Sequence, residues 1–475
     1  MPTESLSSSA RQVHEAWPAA VKLIMGARFG RSLGQGALVV GFSLYLHALN
    51  WSAAAIGAVL SAGLLLGVVL TLLIGPASDR LGRKQFLLAY EGVLILSALL
   101  ALASSATWVL TLGAVLGGFG RGANGAAGPF GPLEQAWLAQ DLPPAQRSRV
   151  FSLNSALGFF GMALGALLAG LPALWSGLLP GALAYRPLFV LPLLGSAIGL
   201  ALIWRAPDAK QTRTKPPLAA ASATVMPEDD TAFPTVGGSG PPATPDATPH
   251  ATPHATPHAT PDTPDTPDTP SADGETTRDH AHSATHAEEN RLLWRLGLAN
   301  SLNGLGIGLV APLMAYWFLR RFGHGPATIG PALAASFVLA AVGAQFAQRF
   351  VPRYGVVRTV VGMRAVGLLL MVLTPFMRVF ILAAGFWAVR AAFNQGTLGV
   401  RQALTMGLTR QHRQGLAATV NNVSIQVPRA IGPAIAGLML HQGWLTAPFI
   451  LAAGFQLAYL VAYQRFFGGM DRPGG

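Results

Sequence analysis

Long apolar runs recur along the 475-residue chain, separated by short polar stretches. Each run approaches or exceeds the roughly 20 residues that an α-helix needs to cross a bilayer. The first six predicted helices lie near 24–47, 54–76, 86–104, 107–138, 150–173 and 187–205. The second six lie near 293–319, 327–349, 357–376, 379–404, 415–441 and 446–467. The predicted fold class is an all-α membrane protein, with twelve transmembrane helices in two pseudo-symmetric halves, 22–205 and 291–467. The fourth run holds Gly113, Gly117, Gly118, Gly122 and Gly125, small residues that let membrane helices approach closely. Pro129 and Pro132 are expected to bend or end it.

The segment 206–290 breaks the pattern. Ala-Thr-Pro-His repeats run into Thr-Pro-Asp repeats between about 243 and 270. Its apolar content is too low for a core, which predicts a disordered linker. Six of the eleven histidines lie there, among them His250, His254 and His258. Tandem imidazoles can hold zinc, copper or nickel weakly, so a metal-responsive role is one reading of the repeat. The tails 1–21 and 468–475 are expected to be loose.

Composition sharpens the membrane assignment. Only 11% of residues are charged, whereas a soluble chain carries about a quarter. The net charge of +12 hides two opposite parts, about −9 in 206–290 and +21 elsewhere. The cations gather in alternate loops rather than in a nucleic-acid patch. One side holds Arg80, Arg83, Lys84, Arg147, Arg149, Arg205, Arg349, Arg353, Arg358, Arg410, Arg413 and Arg465. The other holds Arg186, Arg320, Arg321 and Arg378. The positive-inside rule then places both termini and the linker in the cytoplasm, with the helices in the plasma (inner) membrane. No cysteine is present, which excludes disulfides and thiolate metal sites. No secretory signal is visible.

One polar stretch stands out, Gly75-Pro76-Ala77-Ser78-Asp79-Arg80-Leu81-Gly82-Arg83-Lys84 between the second and third helices. It is read as a short cytoplasmic turn. Its pattern, Gly75, Asp79, Arg80, Gly82, Arg83 and Lys84, resembles the signature loop of the major facilitator superfamily. The halves also repeat one another. Arg80-Leu81-Gly82 matches Arg353-Tyr354-Gly355, Leu133-Glu134-Gln135-Ala136 matches Val400-Arg401-Gln402-Ala403, and Asn154 matches Asn421. Gly165 and Gly170 match Gly432 and Gly437. Parallel six-helix repeats are what the resemblance implies. So are a cytoplasmic charge cluster of Asp79, Arg83 and Glu134, a latch between halves, and a cavity lined by the first, fourth, seventh and tenth helices. Arg401 is the pseudo-symmetric mate of Glu134 and is expected to pair with it. Arg121 is similar to the family's fourth-helix arginine. The Gly-Pro pattern that marks proton-linked exporters in the fifth helix is missing there, where Gly165-Ala166 stands. It occurs instead in the eleventh as Gly432-Pro433, followed by Gly437, and offers a bend.

Charges inside a membrane are costly and need a reason. Acids are few: Asp79, Glu91, Glu134 and Asp141 in the first half, and none between 291 and 470. Glu91 and Glu134 are the candidate proton carriers. Arg121 and Arg390 are the candidate cavity cations, with Arg429 also deep, and Gln35, Asn300, Asn303 and Asn394 can hydrogen-bond a solute. Phosphate-binding loops, metal-ligand clusters and nucleophile triads do not appear in the helical part, so the reading is a transporter without cofactor rather than an enzyme. The expected function is secondary active transport of a small organic solute by alternating access, as proton-coupled efflux, in a monomer embedded in lipid. Two alternatives stand beside it. One is import or exchange of an organic anion through a positively charged cavity; the other is a membrane sensor or metal-responsive protein acting through the linker.

Overall fold

The computed structural model describes residues 17–121, 131–140, 142–207, 272–407 and 414–471. Side chains of 75, 76, 79–81, 144, 145, 148, 272–288, 344–348, 403, 406–407, 414–416 and 470 lie outside that description. Met1–Ala209 and Thr285–Gly475 form one compact unit and Lys210–Ala284 a second. The first unit carries the membrane-length helices.

The described residues are helical, with no strand. In chain order the main helices are α1 (Ala19–Ala48), α2 (Ala53–Leu81), α3 (Arg83–Ala103), α4 (Thr107–Gly117), α5 (Gly131–Gln140), α6 (Pro144–Leu168) and α7 (Val190–Arg205). The second set is α8 (Ala272–Val310), α9 (Met314–Phe322), α10 (Pro326–Tyr354), α11 (Val356–Leu373), α12 (Phe380–Gly396), α13 (Leu398–Gly407), α14 (Gln414–His441) and α15 (Ala447–Phe467). Among the described residues, nine helical spans are long and apolar enough to cross a membrane. The first, fourth and tenth predicted spans are not among them. The first holds Arg28, Arg31 and Gln35. The other two are broken.

Those breaks correct the expected boundaries. The fourth span does not run on from 107 to 138. It stops at Gly117, because Gly118 and Gly120 take left-handed backbone, φ 58° and 69°, which an L side chain resists. The next described residues, Gly131–Gln140, are helical, and 122–130, Pro129 among them, lie outside the described residues. The tenth span breaks at Thr397, whose hydroxyl donates to the Asn394 carbonyl at 2.9 Å. The motif between the second and third helices is not a loop either. α2 continues through Asp79 and Arg80 to Leu81, and Gly82 alone, at φ 96°, reverses the chain before α3 begins at Arg83. Gly355, at φ 83°, does the same between α10 and α11. Helix also reaches into both expected loose segments, starting at Ala19 and at Ala272.

The surface fits a bilayer. Large apolar side chains such as Leu73, Leu174, Leu178, Ile381 and Leu438 are exposed. Exposed tryptophans sit near helix ends, Trp108 and Trp444 towards one face and Trp204 and Trp294 towards the other.

Burial is distributed unevenly. The largest buried cluster draws on both halves, with Phe42, Phe119 and Phe189 from the first and Trp317, Phe318 and Phe449 from the second. Two smaller clusters each belong to one half, one around Ile24, Leu87 and Trp137, the other around Val357, Tyr459 and Tyr463. The halves therefore share a core at one end of the bundle and keep separate cores at the other. Two glycine crossings close the shared end. A Cβ on Gly57 of α2 would overlap the Pro433 carbonyl oxygen of α14 and stand 3.0 Å from Gly437 Cα. A Cβ on Gly330 of α10 would overlap the Ala166 carbonyl oxygen of α6. Gly57 and Gly330 are 273 residues apart, as Arg80 and Arg353 are; Ala166 and Pro433 are 267 apart, as Gly165 and Gly432 are. The two crossings are thus equivalents under the internal repeat. Ser61 adds a bond across the seam, its hydroxyl accepting from the Ala434 N–H at 2.8 Å.

Candidate functional site

The first half buries a four-residue ionic cluster. α1 brings Arg28 and Arg31 onto one face, three residues apart. α3 contributes Glu91 and α5 contributes Glu134, and each residue is at most 7% exposed. Arg28 Nη1 donates to Glu134 Oε2 at 3.3 Å, and Arg31 Nη2 donates to Glu134 Oε1. Arg31 Nη1 also meets Glu91 Oε1 at 3.1 Å. That contact is poorly aligned, and neither Glu91 oxygen accepts a hydrogen bond among the described residues. Glu134 thus holds two arginines while Glu91 leans on one of them. Burial of four charges is tolerable here because they cancel in sign and touch one another. α1 can bring its arginines this close because glycines line its contacts: Gly36 packs on Met162 of α6, and Gly30 on Gly195 of α7.

Tyr90 joins this cluster to the centre of the bundle. Its ring lies 5.9 Å from the Arg31 guanidinium, and its hydroxyl accepts from Arg121 Nη1 at 3.0 Å. Arg121 occupies space that only a glycine at 118 leaves open. Its carbonyl accepts from Arg429 Nη2 of α14 at 3.1 Å, a bond between halves. Gln35 Nε2 reaches the Gly117 carbonyl at 3.5 Å.

The second half builds a corresponding cluster with different charges. Arg364 of α11 donates through Nη1 to Asn303 Oδ1 at 2.6 Å and to Gln456 Oε1 at 3.3 Å, and through Nε to the Thr397 hydroxyl at 3.3 Å. Its guanidinium lies 5.2 Å from the Tyr459 ring. Arg390 stacks on Trp387 at 4.6 Å. Arg390 and Arg401 both act electrostatically on Arg364. No carboxylate is paired with these arginines among the described residues. Asn300 is engaged elsewhere, donating to Asn421 Oδ1 at 2.9 Å, and Asn394 packs on Gly367.

The structure thus brings Glu91, Glu134 and, through Tyr90, Arg121 into one neighbourhood, and Asn303 and Arg390 into another. Glu134 and Arg401 are not brought together; Glu134 is taken up by the two arginines of its own half. For the expected latch, the side chains of Asp79 and Arg80 lie outside the described residues, as do Gly75 and Pro76. Lys84 donates to the Ala206 carbonyl at 2.8 Å, tying the start of α3 to the end of α7. Gly432 and Gly437 are packing positions against Gly308 and Gly57, and Pro433 supplies the carbonyl on which Gly57 rests. His250, His254 and His258 lie outside the described residues. Among the described ones, no group of three His, Asp or Glu could hold a metal ion. Arg364, Gln456 and the pairing role of Arg31 are not singled out by sequence reasoning. An arginine in the middle of the helix, about two turns beyond Arg358 at its start, is the signal that marks Arg364.

Known proteins share this architecture. A solved structure of the nucleoside transporter NupG superimposes with a TM-score of 0.64 at 14% identity, covering 95% of this chain and 100% of that one. A D-xylose-proton symporter gives 0.64 at 13% identity, over 94% and 97%. An inward-facing bacterial homologue of the lysosomal transporter Spinster gives 0.63 at 13% identity, over 97% and 100%. In sequence, the chain is similar to an uncharacterized membrane protein of Saccharomyces cerevisiae, YJR124C, at 27% identity over 151 residues. That match spans about a third of each protein. The Major Facilitator Superfamily model matches residues 24–248 and 296–474. With the repeated halves and the shared seam, that match places the chain in the Major Facilitator Superfamily.

Proposed function

We propose that this chain is a proton-coupled secondary transporter of a small organic solute, working as a monomer in the plasma membrane with both termini and the linker in the cytoplasm. The observation that carries the coupling is the shared arginine. Arg31 faces two buried carboxylates, and Glu91 has the weaker hold on it. Protonating Glu91 leaves Arg31 paired to Glu134, so the local structure survives while the cluster gains one positive charge. Arg28 and Arg31 from α1, Glu134 from α5, Tyr90 on α3 and Ser196 on α7 are the groups that sense this change. A site that gains positive charge with its proton attracts an anion in the same state, and that is symport. Efflux by antiport needs a cargo that competes with the proton for a carboxylate. Here Glu134 is held by two arginines and Glu91 faces the Arg31 cation, so a cationic cargo meets positive charge beside either acid, and the reading favours uptake over the efflux expected from sequence. With the cation-rich loops read as cytoplasmic, the closed, glycine-crossed end faces out, and the inward-facing arm of the cycle is the reading this supports.

The test uses purified protein in vesicles loaded with a pH-sensitive dye. Succinate, glycerol 3-phosphate, acetate, xylose and tetraphenylphosphonium are added in turn, and proton entry is read. At least one probe should carry protons inward with wild-type protein, and Glu91→Gln should abolish proton entry while keeping solute exchange. Unchanged proton entry in Glu91→Gln would sink the assignment.

A further inference from the structure

Comparing the halves position by position exposes an inversion of charge. Glu91 and Arg364 are 273 residues apart, the interval that relates Arg80 to Arg353, and each is the ninth residue of its helix, α3 or α11. Glu134 and Arg401 are 267 apart, the interval that relates Asn154 to Asn421. Arg28 and Arg31 correspond in turn to Asn300 and Asn303, at the spacing that relates Gly34 and Gly36 to Gly306 and Gly308. Packing supports that register, since Gly36 rests on Met162 and Gly308 on Arg429, themselves 267 apart. Where the first half has two carboxylates and two arginines, the second has two arginines and two asparagines at the equivalent positions, of which Asn303 meets Arg364 and Asn300 turns to Asn421.

The first cluster neutralises itself; the second does not. Arg364 has only neutral acceptors, the oxygens of Asn303, Gln456 and Thr397. The groups around it that lack partners among the described residues are the donors Arg390 Nε, Arg401 Nε and Asn303 Nδ2, and the hydroxyls of Tyr459 and Tyr463, which can each donate one further hydrogen bond. Arg364, Arg390, Asn303, Tyr459 and Tyr463 are at most 6% exposed. The Tyr459 ring lies 5.2 Å from the Arg364 guanidinium and 5.5 Å from the Tyr463 ring, which joins these groups. The half-buried Arg401 and the Asp471 carboxylate both act electrostatically on Tyr463, from the cluster's edge rather than as hydrogen-bonded partners of Arg364. Buried donors without acceptors and buried cations without counter-ions are each costly, and one ligand relieves both. That ligand is an anion rich in acceptor oxygens. Two carboxylates are what the inversion removes, so a ligand with two negative charges takes their place.

We infer that the second half holds the cargo site of this transporter, built on Arg364, Arg390 and Arg401, and that it takes a small organic dianion. The inference rests on the transporter reading and adds the substrate class. It also assigns the halves separate tasks, with the proton in the first and the cargo in the second.

Binding is measured on the purified full chain by titration calorimetry with succinate, glycerol 3-phosphate, acetate and xylose. One of the two dianions should bind at least about tenfold more tightly than acetate, and xylose should not bind. Arg364→Gln and Arg401→Gln should each weaken the dianion about tenfold or more. Arg401→Glu is the sharper variant, because it rebuilds the composition of the first half. It gives Arg364 an internal carboxylate, so it should raise the melting temperature and abolish dianion binding. Dianion binding unchanged in Arg401→Glu and in Arg364→Gln overturns the inference, as does acetate or xylose binding as tightly as the dianions. The two readings fail separately. Xylose or acetate carried with protons through Glu91 would sink the dianion site and keep the coupling. A dianion bound through Arg364 and moved without protons would do the reverse.

Discussion

Replacing Glu134 by glutamine removes one negative charge from a buried cluster and changes its shape little. Glu134 is 1% exposed and accepts from both Arg28 and Arg31, which are 7% and 6% exposed. Charge-assisted hydrogen bonds contribute about 1.5–3 kcal/mol each. Removing one partner of a buried ion pair costs about 3–5 kcal/mol, because the other charge is left behind. In Glu134→Gln, Arg28 loses its contact to Glu134 and Arg31 keeps the poorly aligned Glu91 at 3.1 Å. The expected loss is therefore about 3–5 kcal/mol. Glu91→Gln should cost less, about 1–2 kcal/mol, since a single misaligned pair disappears and Arg31 stays bonded to Glu134. The assay is reversible unfolding in mild detergent, with a double-mutant cycle joining Glu134→Gln to Arg31→Gln and to Arg28→Gln. Coupling should appear with both arginines, since each donates to Glu134. A Glu134→Gln loss below about 1 kcal/mol, or single effects that simply add, would refute the cluster as a unit.

Three further outcomes are expected from the geometry. Gly57→Leu should keep the shared end open, because its side chain would collide with the backbone of Pro433 and Gly437 rather than with movable atoms; distances between spin labels on the ends of α2 and α14, attached in a chain with no native cysteine, should lengthen. Asp471→Ala should lower stability by about 1 kcal/mol, since its carboxylate accepts from the Val357 and Arg358 N–H groups at 3.0 and 2.7 Å and caps α11; Asp471→Asn should recover part of this in the same melt. Ser61→Ala should cost about 1 kcal/mol by stripping the Ala434 N–H of its acceptor, and should weaken closure of the seam in the spin-label measurement.

How much of this molecule is legible in its sequence depends on which forces are local. Membrane class, helix type and family come from long apolar runs, sparse charge and one motif, all visible in a window of the chain. The backbone breaks are harder. Gly82 reverses the chain alone because a positive φ suffices, and a ten-residue polar stretch reads as a loop when nearly all of it is helix. Gly118 and Gly120 stop a helix in a segment whose glycines also suit packing, and composition does not separate the two uses. Pairings are hardest. Repeat equivalence points Glu134 at Arg401, but equivalent positions related by a two-fold need not face one another. Arg28 and Arg31, near the start of the first helix, resemble surface cations in sequence; glycine contacts along α1 draw them inward to the acids.

The inversion between halves extends beyond the buried clusters. At the start of α3, the Lys84 cation reaches the carbonyl of Ala206 at the end of α7. At the start of α11, the Asp471 anion, just past the end of α15, accepts from the first-turn amides. The same joint is thus made twice, once by a cation on a helix C-terminus and once by an anion on a helix N-terminus, each matched to the local dipole. Two halves with one backbone plan can exchange signs at such joints without loss, because each exchange brings its own partner. The exchange at Glu91 and Arg364 is different in kind. Arg364 received neutral acceptors and no acid, so the second half carries an electrostatic debt that the first does not. A purely structural arginine would gain stability from a nearby carboxylate, and Arg401 stands where one would fit. That position holds a second cation instead, which is costly in a protein that never meets an anion and useful in one that must bind and release it.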